Sequence, residues 1–369
     1  MNLATDRRTA KSSSAGATLE VRRLTKRFGA FPSVNEVSWT AEAGEFIALL
    51  GSSGCGKSTS LLMIAGLLMP TSGEVLIGGS DVTTLPPERR NIGMVFQDYA
   101  LFPHMSVLEN VAFGLRMRRP SRADAAVLAE RALERVGLAG LGGRTPAALS
   151  GGQRQRVALA RALVYEPPVL LMDEPLGALD KQLREQMQHE LRKLHRELGV
   201  TIIYVTHDQR EALTMADRIA VMRAGRIEQI GTPPAVFSRP ETRFVASFLG
   251  DCCFLRPTKV EAVGETSWHV HFGEWALPVR GPRALPNEPE VAIRPHEIRI
   301  CAPDDAGSAV LPVTLLDVVF EGETFEYLVV TRDGQNLSVR VPAREHHDTE
   351  RSPGAEMFIS WPPDAAWLV

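Results

Sequence analysis

From about residue 21 to residue 222 the chain alternates short apolar runs with longer stretches of helical pattern. The runs at 46–50, 92–96, 169–172, 201–206 and 219–222 are apolar almost throughout and rich in Val, Ile and Leu. A strand apolar on both faces is covered on both faces, so these runs predict a parallel sheet between layers of helix. Across residues 181–198, Leu183, Met187, Leu191, Leu194 and Leu198 recur at three- and four-residue steps, which predicts one amphipathic helix. Residues 121–136, rich in Ala and in charges, predict another. The pattern changes near residues 239–250. Beyond them Pro and Gly become frequent, helical periodicity fades and short alternating stretches take over. Leu337, Val339 and Val341 fall on one face of a strand. Before that strand, Asp333-Gly334 supplies residues that tolerate the positive φ of a tight hairpin turn. Trp268, Phe272 and Trp275 read as strand-core aromatics. On pattern alone, residues 18–245 form an α/β domain and residues 246–369 an all-β domain. Residues 1–17 carry charges and small polar side chains but no apolar stretch, which predicts a disordered tail and no secretory leader.

Composition narrows the partners. At 44% hydrophobic and 23% charged residues the chain is expected to fold. With 41 basic and 44 acidic side chains the net charge is −3, which argues against a protein that coats nucleic acid. The longest apolar run, 61–69, is far short of the roughly 20 residues that a bilayer requires, so any action at a membrane needs another chain to span it. None of the four cysteines (Cys55, Cys252, Cys253 and Cys301) has CxxC spacing, and all are expected to be reduced, with Cys252 and Cys253 as small core or boundary residues.

The chemistry begins at Gly51-Ser52-Ser53-Gly54-Cys55-Gly56-Lys57-Ser58-Thr59, which follows the first apolar run and opens a helical pattern. Glycines at these positions let successive N–H groups point at phosphate oxygens, and the helix aims its positive end at the same place. Lys57 is placed to neutralise the β- and γ-phosphates and the Ser58 hydroxyl to ligate Mg²⁺. A flexible Gly/Ser turn is the plain alternative. The run 169–172 then ends in Asp173-Glu174, which sets two carboxylates at the C-terminal edge of the sheet. Asp173 suits the Mg²⁺ shell, and Glu174 suits the polarisation of a water for in-line attack on the γ-phosphate.

Residues Leu149-Ser150-Gly151-Gly152-Gln153-Arg154-Gln155-Arg156, followed by Val157-Ala158-Leu159-Ala160-Arg161-Ala162-Leu163, closely resemble the signature motif of ATP-binding-cassette (ABC) ATPases. A Ser and two glycines opening a helix make a second anion-binding terminus, one that cannot easily serve the same phosphate as the first within one chain. The resemblance implies that two copies pack head to tail, each ATP held between one phosphate loop and the partner's Ser150. Other positions match in order. Gln97 resembles the glutamine that touches Mg²⁺ and water and couples to the transporter. Residues 176–180 resemble the D-loop, with Asp180 at the dimer seam, and His207 resembles the switch histidine on the γ-phosphate. Phe28 falls where the family stacks an aromatic ring on adenine; a core phenylalanine is the alternative. Residues 98–107 look like the surface on which a permease docks, with Phe102 and His104 foremost.

The turn at residues 291–297, Val-Ala-Ile-Arg-Pro-His-Glu, resembles that of the oligonucleotide-fold-like TOBE domain appended to importer ATPases. No dense basic patch with interleaved aromatics accompanies it, so nucleic acid is not expected. The resemblance implies a P-loop NTPase cassette with a helical subdomain over about 98–165, followed by that β-barrel domain. It implies an ATPase using ATP and Mg²⁺, peripheral on the cytoplasmic face of the bacterial inner membrane, which drives import through a separate permease fed by a solute-binding protein. Residues 180–188 and 206–209 look most like the spermidine/putrescine branch. Ferric iron, aminoethylphosphonate or sugar import are alternatives, and a soluble non-transport ABC ATPase is a reading of another class.

Overall fold

The structure is a computed structural model that describes residues 16–118, 122–177, 179–303, 310–345 and 352–369. It divides into two compact units, residues 1–233 and 234–369. Most of the expected tail lies outside the described residues. Its last two residues are tied down, with Gly16 N donating to Gly199 O at 3.0 Å and the Thr201 hydroxyl to Ala17 O at 2.7 Å.

In the first unit, a four-stranded antiparallel sheet contains β1 (Leu19–Phe28), β2 (Phe31–Ala41), β4 (Ser72–Ile77) and β5 (Ser80–Asp81) in the order β2-β1-β4-β5. The central sheet contains β3 (Phe46–Gly51), β6 (Ile92–Val95), β7 (Val169–Asp173), β8 (Thr201–Thr206), β9 (Arg218–Arg223) and β10 (Arg226–Gly231), in the order β10-β9-β3-β8-β7-β6. All its neighbours pair in parallel except β10 on β9. Every residue of β3 and β8 is buried, as continuous apolar strands between two layers require. The helices are α1 (Lys57–Ala65), α2 (Val107–Arg118), α3 (Arg122–Arg135), α4 (Gly151–Leu163), α5 (Lys181–Leu198) and α6 (Gln209–Met215).

Local chemistry sets several helix ends. Asp180 caps α5 by accepting from Leu183 N at 2.9 Å, and Gly199 ends that helix at a left-handed φ of 62°. Arg90, 2% exposed, donates to Met63 O and Ile64 O at 2.8 Å each, so a buried cation closes the C-terminus of α1.

The second unit takes in all of α7 (Pro233–Ser238) but its first residue, then α8 (Arg243–Phe248), and continues as two sheets. One orders the strands Cys253–Leu255, Val291–Ile293, Ala366–Leu368, Trp275–Arg280, Ser267–Phe272 and Lys259–Ala262. The other orders Arg299–Cys301, Glu356–Ser360, Leu311–Phe320, Thr324–Thr331 and Asn336–Pro342. The hairpin predicted around Asp333-Gly334 is present, with Val329 opposite Leu337 and Gly334 at φ 83°. Phe272 is buried, and Trp268 and Trp275 pack on the same apolar cluster. Arg294 of the 291–297 turn is 6% exposed. Its guanidinium donates to the carbonyls of Ala246, Gly250 and Asp251, and stacks 4.3 Å from the Phe237 ring centroid. Arg294 therefore ties the strand Val291–Ile293 to α7, to α8 and to the segment that follows α8. Cys253 is buried, and burial pushes the neighbouring Cys252 thiol up to about 11, far from thiolate chemistry.

Candidate active site

The order β3-β8-β7-β6 of parallel strands brings four strand ends to one edge of the sheet. The phosphate loop follows β3, His207 follows β8, Asp173 and Glu174 close β7, and Gln97 lies just past β6. Residues separated by more than a hundred positions thus share one edge because of strand order, the usual place for ligands in such sheets.

The phosphate loop turns through Gly54 at φ 79° and Gly56 at φ 106°. A Cβ at Gly56 would stand 2.4 Å from Ser33 O, and one at Gly51 2.5 Å from Met222 O. Close backbone approach therefore requires glycine at both positions, and at Gly56 the left-handed conformation requires it as well. Replacing Gly56 with Ala is expected to cost about 2 kcal/mol or more of stability and to weaken ATP binding, measurable by thermal unfolding and calorimetry. Lys57 is 5% exposed and its ammonium donates to Gly51 O at 2.8 Å and Ser52 O at 2.9 Å, so it already lies over the loop. The Thr59 hydroxyl meets that of Ser33 at 3.0 Å.

Ser58 Oγ donates to Asp173 Oδ1 at 2.9 Å, which brings the two expected Mg²⁺ ligands together. Burial raises the Asp173 carboxyl above the usual carboxylate range; the Glu174 charge adds to this, and the Ser58 bond and Lys57 oppose it. An oxygen-rich pair short of positive charge is the donor set a hard divalent cation takes. Glu174 stands at φ 44°, a left-handed position that ends β7, while its N–H still bonds Val205 O at 3.0 Å. Its Oε2 lies 3.0 Å from His207 Nδ1. Gln97 Nε2 and Glu174 Oε2 each lie 4.0 Å from the place a Gly177 Cβ would occupy, so both side chains border the D-loop.

His207 is held through its neighbours. Thr206 Oγ1 and the Tyr204 hydroxyl both donate to Glu211 Oε2 at 2.7 Å, and Asp208 caps α6 by accepting from Arg210 N at 2.8 Å. Arg184 joins this end to the D-loop, donating to Leu179 O at 2.9 Å and lying 3.4 Å from Asp208 Oδ2. Arg184 and Glu211 were not singled out from the sequence; a lone charge within a helix of charges carries no signal. The other expected residues lie in different surroundings. Ser150 and Gln153 form a reciprocal capping box at the start of α4, with Gln153 N on Ser150 Oγ at 3.3 Å and Ser150 N on Gln153 Oε1 at 3.0 Å. Gly151 lies against Leu179 and Gly152 against Leu183, so this terminus is seated on the D-loop and the start of α5. Phe28 is 56% exposed at the end of β1, with Lys26 Nζ 5.4 Å from its ring centroid, which removes the core alternative for that residue. Phe102 packs on Phe113 at 4.6 Å between centroids, and His104 is exposed.

Fold and site define a P-loop ATPase of the cassette type. The ABC transporter family model matches residues 34–177 and the TOBE domain model residues 291–369. The spermidine/putrescine import ATP-binding protein PotA of Rubrobacter xylanophilus is 44% identical over 98% of this chain and 96% of its own. The Fe(3+) ions import ATP-binding protein FbpC of Agrobacterium fabrum is 48% identical over 84% of this chain and 86% of its own. Among solved structures, the ATP-binding cassette MJ0796, a dimer in a post-hydrolysis state bound to ADP and Pi, is 34% identical with TM-score 0.52, covering 58% of this chain and 98% of that one. This chain belongs to the ABC transporter family, as an ATP-hydrolysing import subunit with a C-terminal TOBE domain. A subunit of that kind works with membrane permease partners, and among the described residues no helix is long and apolar enough to cross a membrane.

Proposed function

We propose that two copies of this chain bind two ATP molecules between them and drive uptake of a polyamine, spermidine or putrescine, from the cytoplasmic face of the bacterial inner membrane. The observation that carries the two-copy arrangement is the separate seating of the two anion-binding helix ends. Lys57 and Ser58 open α1 beside Asp173 and Glu174, whereas Ser150 opens α4 on Leu179 and Leu183. A second chain supplies what one chain's phosphate loop lacks, with Asp180 and the D-loop at the seam.

Within each site, Gly51 to Thr59 cradle the phosphates, Lys57 carries the charge on the β- and γ-phosphates, and Phe28 offers its exposed face to adenine. Ser58, Asp173 and Gln97 would hold Mg²⁺, which supplies charge neutralisation on the phosphate oxygens. Glu174 accepts a proton from the attacking water or orients it, and His207, already 3.0 Å from that carboxylate, positions it and donates to the γ-phosphate. Closing of the two copies acts on a docked permease through the surface around Phe102 and His104, because a ligand that binds the closed form better shifts the equilibrium towards it.

The polyamine reading is supported by PotA relatives that match this chain nearly end to end, the TOBE domain included. The shorter match to FbpC favours ferric iron as the second reading. The deciding experiment reconstitutes the subunit with its permease and solute-binding protein in vesicles and measures ATPase stimulation by putrescine, spermidine, ferric iron, aminoethylphosphonate and sugars. Stimulation by putrescine or spermidine is expected; stimulation by ferric iron alone would replace the polyamine reading.

A further inference from the structure

The segment after Gln97 has an unusual backbone. Tyr99 and Ala100 stand in succession in the left-handed region, at φ 62° and 46°. L side chains enter that region singly and at a cost, so a pair of them needs an external hold. The hold comes from α4. Arg161, near its C-terminal end, sends its two terminal nitrogens to the two carbonyls in a row, Nη2 to Tyr99 O at 2.6 Å and Nη1 to Ala100 O at 2.7 Å. Its guanidinium also lies 5.8 Å from the Phe102 ring centroid. Tyr99 is 6% exposed, so the clamped segment is not a loose loop. The fully buried Asn110 secures the far end, accepting from Phe102 N at 2.8 Å and donating to Phe102 O at 3.1 Å.

The helix that ends in this clamp begins at Ser150. Arg161 lies eleven positions after Ser150, about 16 Å of rigid rod at the helical rise. We propose that Arg161 is a positioning residue that makes α4 a mechanical link between the two nucleotides of the dimer. Through Arg161 the rod grips the segment carrying Gln97 in its own site, and through Ser150 it reaches the nucleotide of the other. The link rests on the two-copy reading above. A planar guanidinium can engage two adjacent carbonyls at once, whereas an ammonium engages them as a point charge. Seating of Ser150 therefore fixes Gln97, and a shift of Gln97 moves Ser150.

The test uses the full-length Glu174→Gln protein, in which ATP-driven dimerisation is followed by light scattering and ATP occupancy by equilibrium binding. Adding Arg161→Ala is expected to leave ATP occupancy of the monomer within about twofold while raising the ATP concentration for half-dimerisation about tenfold, as loss of two charge-assisted bonds implies. Arg161→Lys, which keeps the charge and a single point of contact, is expected to fall between the two. Dimerisation unchanged by Arg161→Ala overturns the link. So does a parallel loss of ATP binding and melting temperature in both variants, which marks a purely structural role. A Glu174→Gln protein that stays monomeric in ATP overturns the two-copy reading itself, and the link falls with it.

Discussion

Replacing Glu174 with Gln is expected to lower ATP turnover by about 10²–10⁴ and to leave ATP bound, so that dimers accumulate. The carboxylate lies 3.0 Å from His207 Nδ1, on a left-handed residue just past the end of β7. Gln preserves the size and the hydrogen-bonding capacity towards His207 but cannot take up a proton. Hydrolysis is thereby blocked after binding, and the closed state has no route onward. Size exclusion in the presence of ATP reads the result directly. A protein that elutes as monomer at saturating ATP, with turnover near that of the unsubstituted chain, would remove Glu174 from its assigned role.

Replacing Lys57 with Ala is expected to lower ATP affinity by about 10²-fold or more, since charge-assisted bonds to phosphate oxygens are among the strongest a side chain makes. The same change removes the donor from Gly51 O and Ser52 O, which the ammonium now engages at 2.8 and 2.9 Å. A stability loss of about 1–2 kcal/mol accompanies it, small enough for the chain to remain folded and be titrated with ATP by calorimetry. Undiminished affinity in a folded Lys57→Ala protein would overturn the phosphate assignment of the whole loop.

Much of the cassette was legible in the amino-acid order because its central strands are buried on both sides. The run 46–50 became β3, 201–206 became β8, and 219–222 lies inside β9, each with its apolar residues fully enclosed. The β1–β2 sheet was not legible. Its alternation is broken where Arg23 and Glu36 take positive φ and the pairing register slips, so a two-residue period never runs long enough to be seen. Helix α5 was legible from its apolar stripe, and Met187 and Leu191 on that stripe are buried. In the site, motif spacing pointed to Lys57, Ser58, Asp173 and Glu174, and the family resemblance to His207 and Gln97. Neither assigned a role to Arg161, Arg184 or Glu211. Their partners are backbone carbonyls and hydroxyls whose positions no single stretch of chain records.

What the chain order determines by itself is chemistry and local form: which turn can wrap a phosphate, which strand is enclosed, which helix begins with a cap. Those properties depend on neighbours a few residues apart, and short-range sterics and periodicity express them. Only the tertiary structure decides which ends share an edge. The parallel order β3-β8-β7-β6 gathers Lys57, His207, Glu174 and Gln97 at one edge, while the start of α4 is seated on Leu179 and Leu183 with the Ser150 cap satisfied by Gln153. That arrangement arises from burying a two-faced sheet between helices, a constraint on the whole chain at once.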